Sequence, residues 1–305
     1  MHLNRIKLLN FKKRSVAAVC AVTGFFCVFI SAHSFAQRAG GEAADRYKTI
    51  DPEEGGRRIA NFRNQRLEGD YCFHFELEHL PRRGERVTYY GTMWGSWNEQ
   101  GPVTRIQLLS NNQNPEGGAK SVAIELIIQN GPVPRAWSRL DANADFKLLR
   151  GDALYESVLP NVTYSAFDLQ MPFVYWDEYV YEGPGRVQSR IAQQFLMQAP
   201  AGSVARQRGI DAVRIGLDDA YDALLRIEVL DEQQEELSRF TVESFKKIQG
   251  QYIVKEVTLK DYTTRDRTRF KVKAASVGLV LEHNVFNPCH AVEPLEIPQQ
   301  MFQVL

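Results

Sequence analysis

Several familiar signatures are missing from these 305 residues. There is no Gly-x-Ser-x-Gly elbow, phosphate-binding loop, dinucleotide fingerprint or His-Glu-x-x-His pair, so the commonest enzyme motifs give no lead. Excess charge is missing as well. The 37 basic residues face 37 acidic ones, which leaves no electrostatic footprint for nucleic acid or for an anionic membrane. Cysteine is scarce, with 4 in the chain, too few for a disulfide-built scaffold. The apolar run from Val16 to Ile30 is shorter than the roughly 20 residues that cross a bilayer.

Acid is absent from Met1 to Ala36, whereas Arg5, Lys7, Lys12, Lys13 and Arg14 precede the apolar run and Ser34-Phe35-Ala36 follows it. A basic start, a short apolar core and a small-x-small triplet are the parts of a secretory signal peptide, with cleavage expected between Ala36 and Gln37. Cys20 and Cys27 follow Val19 and Phe26, where lipoprotein processing requires a small residue. Export to the periplasm as a soluble protein is the expectation. Loss of the leader leaves 32 basic residues against 37 acidic ones, a net charge of −5. It also leaves Cys72 and Cys289, which read either as a disulfide in an oxidising compartment or as two separate small side chains. If the tail crosses the outer side of the first strand, a Cys72–Cys289 bridge is expected.

What the chain has in quantity is strand pattern. Between Tyr221 and Ala274, Leu225, Ile227 and Val229 alternate with Arg226 and Glu228, and Phe240 and Val242 alternate with Arg239, Thr241 and Glu243. Ile253, Val257 and Leu259 carry the next segment. Thr268, Phe270 and Val272 then alternate with Arg267, Arg269, Lys271 and Lys273. The connections, Asp231–Glu236, Gln249-Gly250 and Asp261–Asp266, are short. Period two with tight turns predicts antiparallel strands with one apolar and one charged face. Earlier, Tyr71, Phe73, Phe75 and Leu77 alternate with Cys72, His74, Glu76 and Glu78, and Val87–Trp97 returns with Tyr89, Met93 and Trp97 on one side. Gly91 and Gly95 share that side, which suggests a bent strand or a ligand close to the backbone. Ile106–Leu108, Val122–Ile128 and Gln188–Met197 are further strands, with an Asn- and Gly-rich loop at Asn111–Gly118.

Helix signals are few. Asp51-Pro52-Glu53-Glu54 marks a helix start, with Ile59, Phe62 and Leu67 as its weak stripe. Thr163–Trp176, with Phe167, Leu169, Met171, Phe173, Tyr175 and Trp176, is too aromatic for a surface loop and lacks period two. It reads as a short helix or lid in the sheet's concavity, or as a buried connector. Asp141-x-Asn143-x-Asp145 imitates a calcium loop, but Phe146 stands where Gly is needed and Asp152 where the closing Glu belongs. His74, Glu76 and Glu78 read as a solvated face. No metal or other cofactor is expected.

The segments Thr163–Leu169, Phe173–Trp176, Tyr221–Asp231, Gly250–Tyr252, Thr258–Asp261, Arg267-Thr268 and Leu281–Phe286 together resemble the LolA-like outer-membrane lipoprotein-sorting proteins. They are more similar to a longer branch that includes a phospholipid-binding spirochaete lipoprotein domain. The resemblance spans about residues 69–288. It implies a mainly β, α+β fold: a half-open antiparallel barrel with a few helices closing its concave apolar face. Around it lie the leader (1–36), a loose segment with a helix (37–68) and a tail (289–305). This chain is longer than LolA and has no lipidation cysteine, so it resembles the soluble carrier more than the anchored acceptor; the carrier's cavity arginine has no evident counterpart.

The implied function is binding of lipoprotein acyl chains or phospholipid in an apolar cavity, without catalysis, by a monomer that meets an inner-membrane donor and an outer-membrane acceptor. The residues expected to line the cavity are Phe73, Phe75, Leu77, Tyr89, Met93, Trp97, Phe173, Trp176, Leu225, Ile227, Val229, Phe240, Val242, Phe270 and Val272. An alternative is a periplasmic sensor that uses the same half-barrel to bind a protein.

Overall fold

The computed structural model describes residues 48–109, 122–141, 143–294 and 296–305. The expected leader (1–36) and the loop Asn111–Gly118 lie outside these residues. One antiparallel sheet of 14 strands dominates. Its strands are β1 (Asp70–Leu80), β2 (Val87–Asn98), β3 (Gly101–Leu109), β4 (Val122–Gln129), β5 (Arg135–Arg139), β6 (Lys147–Leu148), β7 (Tyr179–Val187), β8 (Arg190–Gln198), β9 (Ala212–Asp218), β10 (Leu224–Leu230), β11 (Glu236–Ile248), β12 (Gln251–Asp261), β13 (Arg267–Leu279) and β14 (Gln303–Val304). The spatial order is β6-β5-β4-β3-β2-β1-β13-β12-β11-β10-β9-β8-β7, with β14 added beside β13. Two consecutive meanders are therefore joined where β1 pairs with β13. The sheet is open, with β6 and β7 at its edges.

The four expected strands from 221 onward are β10–β13. The Gln249-Gly250 turn has both residues at positive φ, 45° and 87°, the two-residue hairpin geometry that matches strand twist. Helix α1 (Pro52–Arg63) starts as expected: the Asp51 side chain accepts from the Glu54 backbone N–H at 2.8 Å, and Glu53 and Glu54 occupy the first turn.

The inner face of the sheet carries one apolar cluster. It holds Phe73, Phe75, Leu77, Met93, Ile106, Leu126, Phe195, Ile215, Ile227, Phe240, Val257 and Phe270, closed by Ile59 and Phe62 of α1. Gly91 and Gly95 are explained by the strand next door. Each faces an aromatic ring directly across the β1–β2 ladder, Phe75 and Tyr71 respectively. A methyl group at Gly91 would stand 2.3 Å from the Phe75 ring, and one at Gly95 would stand 1.9 Å from the Tyr71 ring. The glycines make room for the protein's own aromatics. On the outer face a second cluster joins Cys72, Trp94, Val103 and Ile127 to Val285 and Phe286, with Leu281, Ile297 and Phe302 packed alongside. The C-terminal stretch from about 280 is thus a strap across the outer face, ending where β14 pairs with β13.

Beneath the strap lies a buried charge network. Arg105, fully buried, donates from Nε to Glu125 at 2.6 Å, from Nη1 to the Val285 carbonyl at 3.0 Å and to the Val292 carbonyl. Arg139 also donates to Glu125, at 2.6 Å, and both guanidinium groups reach Glu293 of the strap. Each buried charge has its opposite within hydrogen-bond reach, the condition under which charges are tolerated away from water.

Candidate functional site

Topology sets the site. The 149–178 segment has to run from edge strand β6 to the opposite edge strand β7, and it does so across the inner face. Its apolar residues make that route favourable. Leu159, Val162, Tyr164, Ala166, Phe167, Leu169, Met171, Phe173 and Val174 are all at most 7% exposed and belong to the inner cluster. We call this segment the plug. It contains helix α2 (Ala166–Gln170), capped by a reciprocal box in which Ser165 accepts from the Asp168 N–H while the Asp168 carboxylate accepts from the Ser165 N–H. Met171 then takes a left-handed conformation, φ 46°, and Pro172–Tyr175 forms a 3-10 turn. Rings connect the parts: Tyr155 stacks on Phe167 at 4.8 Å, and Phe173 meets Trp176 edge-on at 6.2 Å.

A few polar bonds tie the plug to the sheet. The Tyr89 hydroxyl donates to the Pro160 carbonyl at 2.9 Å, and the Thr163 N–H donates to the Thr268 hydroxyl at 3.0 Å. Asn130 Nδ2 donates to the carbonyls of Leu169, at 3.2 Å, and Gln170. Arg63, at the end of α1, donates from Nε to the Val174 carbonyl at 2.8 Å, and its guanidinium lies 5.4 Å from the centre of the Tyr175 ring.

Most of the residues expected to line the cavity do come together. Phe73, Phe75, Leu77, Tyr89, Met93, Phe173, Ile227, Val229, Phe240, Val242, Phe270 and Val272 form part of the inner cluster, and Trp176 packs half-buried against it. Trp97 follows Met93 and Gly95 on the same side but lies at the end of β2, half-buried at the mouth. Leu225 is a correction. The β9–β10 ladder shifts register between Leu224 and Arg226, so Leu224 takes the inner face and Leu225 turns outward against Val187 and Ala192. The expected disulfide is a second correction. The tail does cross behind β1, but Cys72 is buried and Cys289 is exposed, and both are free thiols. Burial pushes the Cys72 thiol well above its ordinary pKa.

Among the described residues the plug packs closely on part of the inner face, where a void of about 10 Å³ lies among Phe75, Leu77, Ile106, Leu108, Leu126, Val158, Tyr164 and Leu169, at the lower limit for one water molecule and far too small for an acyl chain. Two larger hollows lie outside it. One, of about 480 Å³, opens at the mouth between α1, the β2–β3 turn and the end of the plug, and is lined by Arg63, Asn64, Trp97, Glu99, Gln100, Gly131 and Tyr175 among others. The other, of about 430 Å³, runs under the strap between Phe302, Ile297 and the outer side of β1 and β2. Among the described residues, no group of three or more His, Cys, Asp or Glu side chains is placed to hold a metal ion. Asp141 instead caps its own turn by accepting from the Asn143 N–H at 2.9 Å. Arg63 is the site residue that sequence reasoning missed. A basic residue in the last turn of a helix reads as a partner for the helix dipole, and nothing local shows that it meets the plug.

An open antiparallel half-barrel with a few helices against its inner face is the LolA-like fold. No protein-family profile matches this sequence, and no curated protein does; the likeness is one of structure. A DUF1329 family protein from Desulfovibrio piger superposes with a TM-score of 0.63 at 13% identity, covering 78% of this chain and 98% of that one. A putative outer membrane lipoprotein-sorting protein domain from Vibrio parahaemolyticus gives 0.62 at 15% identity, over 77% and 95%. A LolA superfamily protein from Nitrosomonas europaea gives 0.51 at 10% identity, over 72% and 90%. These similarities bear out the expected architecture.

Proposed function

We propose that this protein is a periplasmic carrier, without catalytic activity, that takes the acyl chains of a lipoprotein or phospholipid onto the inner face of its half-barrel when the plug swings out. The observation that carries the reading is the plug itself. The inner apolar face is covered by one continuous connector, tied down by a handful of hydrogen bonds, and not by a second sheet. Magnitudes make an exchange feasible. A sixteen-carbon chain exposed to water costs on the order of 12 kcal/mol at about 0.8 per methylene. The plug's nine buried apolar side chains, at roughly 1.5–3 kcal/mol each, amount to roughly 14–27 kcal/mol. Lipid and plug are therefore occupants of the same order, which exchange requires. The leader and the similarity to lipoprotein-sorting domains support an exported carrier that meets a donor at the inner membrane and an acceptor at the outer membrane.

The test is mass spectrometry of small molecules extracted from protein purified out of the periplasm, alongside hydrogen exchange of 155–176 with and without added lipid. Co-purifying acyl lipid, and loss of protection in the plug on loading, are the expected results. An empty protein that instead holds a stable protein partner, with the plug protected throughout, would replace the carrier by the sensor.

A further inference from the structure

The mouth hollow has a chemistry that the inner face lacks. Arg63 stands half-buried in its wall, with Nε and Nη2 directed at the carbonyls of Val174, 2.8 Å, and Trp176, 3.5 Å. Among the described residues no carboxylate forms an ion pair with it; the other part-buried and buried arginines, such as Arg58, Arg105, Arg139 and Arg214, all have one. Burial lowers its pKa, and nearby Tyr175, Tyr179 and Asp177 offset that only in part. Around it are the aromatic surfaces of Trp97 and Tyr175 and the polar side chains of Asn64 and Gln100, in a hollow of about 480 Å³. Glu99, exposed, also lines the hollow. The hollow adjoins the Pro172–Tyr175 turn, the end of the plug that leads inward. A half-buried guanidinium that no carboxylate pairs with, beside aromatics and next to the plug, fits an amphiphile with a single anionic group at its polar end.

We propose, resting on the carrier reading above, that the mouth hollow is a headgroup subsite for a glycerophospholipid. Arg63 holds the phosphodiester, Trp97 and Tyr175 flank the glycerol region, and Glu99 favours a headgroup with an amine over a purely anionic one. A phosphodiester oxygen arriving at Arg63 competes with the Val174 and Trp176 carbonyls for the same N–H donors. Binding of the headgroup then releases the end of the plug that blocks the acyl chains.

The experiment presents the full-length exported protein with three lipids of identical chains: dioleoyl phosphatidylethanolamine, dioleoyl phosphatidylglycerol and dioleoylglycerol. Lipid retained through gel filtration is measured by mass spectrometry. The wild type is expected to retain the two phospholipids at least about tenfold better than dioleoylglycerol, the size of one charge-assisted hydrogen bond, with the ethanolamine lipid first. Arg63→Gln should bring all three to one level, Arg63→Lys should keep a reduced preference, and Glu99→Gln should erase the ethanolamine advantage only. Circular dichroism confirms that each variant folds. Retention without headgroup discrimination, or discrimination that survives Arg63→Gln, overturns the subsite and leaves the carrier standing. Failure to retain any of the three lipids overturns both.

Discussion

Glu125 is the residue on which the outer face depends most. It accepts from Arg105, Arg139 and Gln107 at 2.6, 2.6 and 2.9 Å while only 1% exposed. Removing the charge at the centre of a buried network leaves its partners desolvated without compensation, which costs about 3–5 kcal/mol. Glu125→Gln should lower the unfolding free energy by that amount, read as a lower denaturant midpoint with little change in slope. Asp168 acts in the opposite sense. Burial, set against the bonds from Ser165, raises its carboxyl to about 6, above the roughly 4 of an unfolded chain. The native state then holds a proton that the unfolded state has released between about pH 4 and pH 6. The contribution of this group to stability is therefore full below that window and falls as pH rises through it, by at most on the order of 2–3 kcal/mol. Asp168→Asn should remove that slope and be more stable than the wild type at neutral pH, read by thermal unfolding across pH 4–7. At His79 burial works the other way, lowering the ring pKa as it faces the Thr268 hydroxyl at 3.4 Å.

Among the elements, those with clean alternation were legible in the sequence and those without it were not. The β10–β13 run could be read because one face of each strand is apolar, the other is charged and the turns are short. β9 escaped because Ala212, Val213, Ile215, Gly216, Leu217 and Asp218 are buried whichever way they point, so no period-two signal exists. β7 escaped because Gly183-Pro184-Gly185 reads as a turn, yet an edge strand has a free side on which a proline costs little. Leu225 was assigned to the wrong face because a register shift cannot be seen in a pattern of hydrophobic residues. Aromatics such as Phe73, Phe75 and Phe270 share the inner face that alternation assigns them, but what covers them depends on the path of residues 149–178 between distant edges, which no local pattern encodes. The strap shows the same limit. The sequence put Cys289 opposite Cys72, whereas the strap buries one thiol and leaves the other in water. A thiol reagent should therefore modify Cys289 at once and Cys72 only on unfolding. Glu293→Gln, which loosens the strap from Arg105 and Arg139, should speed labelling of Cys72. Equal and immediate reaction of both thiols in the wild type would show that the strap does not cover β1.

At the scale of the whole molecule, the two meanders meet at β1 and β13, and the plug is continuous with both outer edges of the sheet. Being held at both ends, a plug displaced as proposed would stay close to the face it left and would compete with the load as an intramolecular ligand, at a local concentration in the millimolar range typical of short tethers. Diluting the protein changes nothing in that competition; only the load's own aversion to water counts. Each methylene adds about 0.8 kcal/mol to that aversion, roughly a fourfold change in retention. Retention measured over a series of acyl chain lengths should therefore rise from negligible to complete over only a few carbons, and lengthening the tether by inserting Gly-Ser residues after Leu148 should move that threshold to shorter chains. On the carrier reading proposed above, a plug fixed at both edges would make this fold a gauge of chain length.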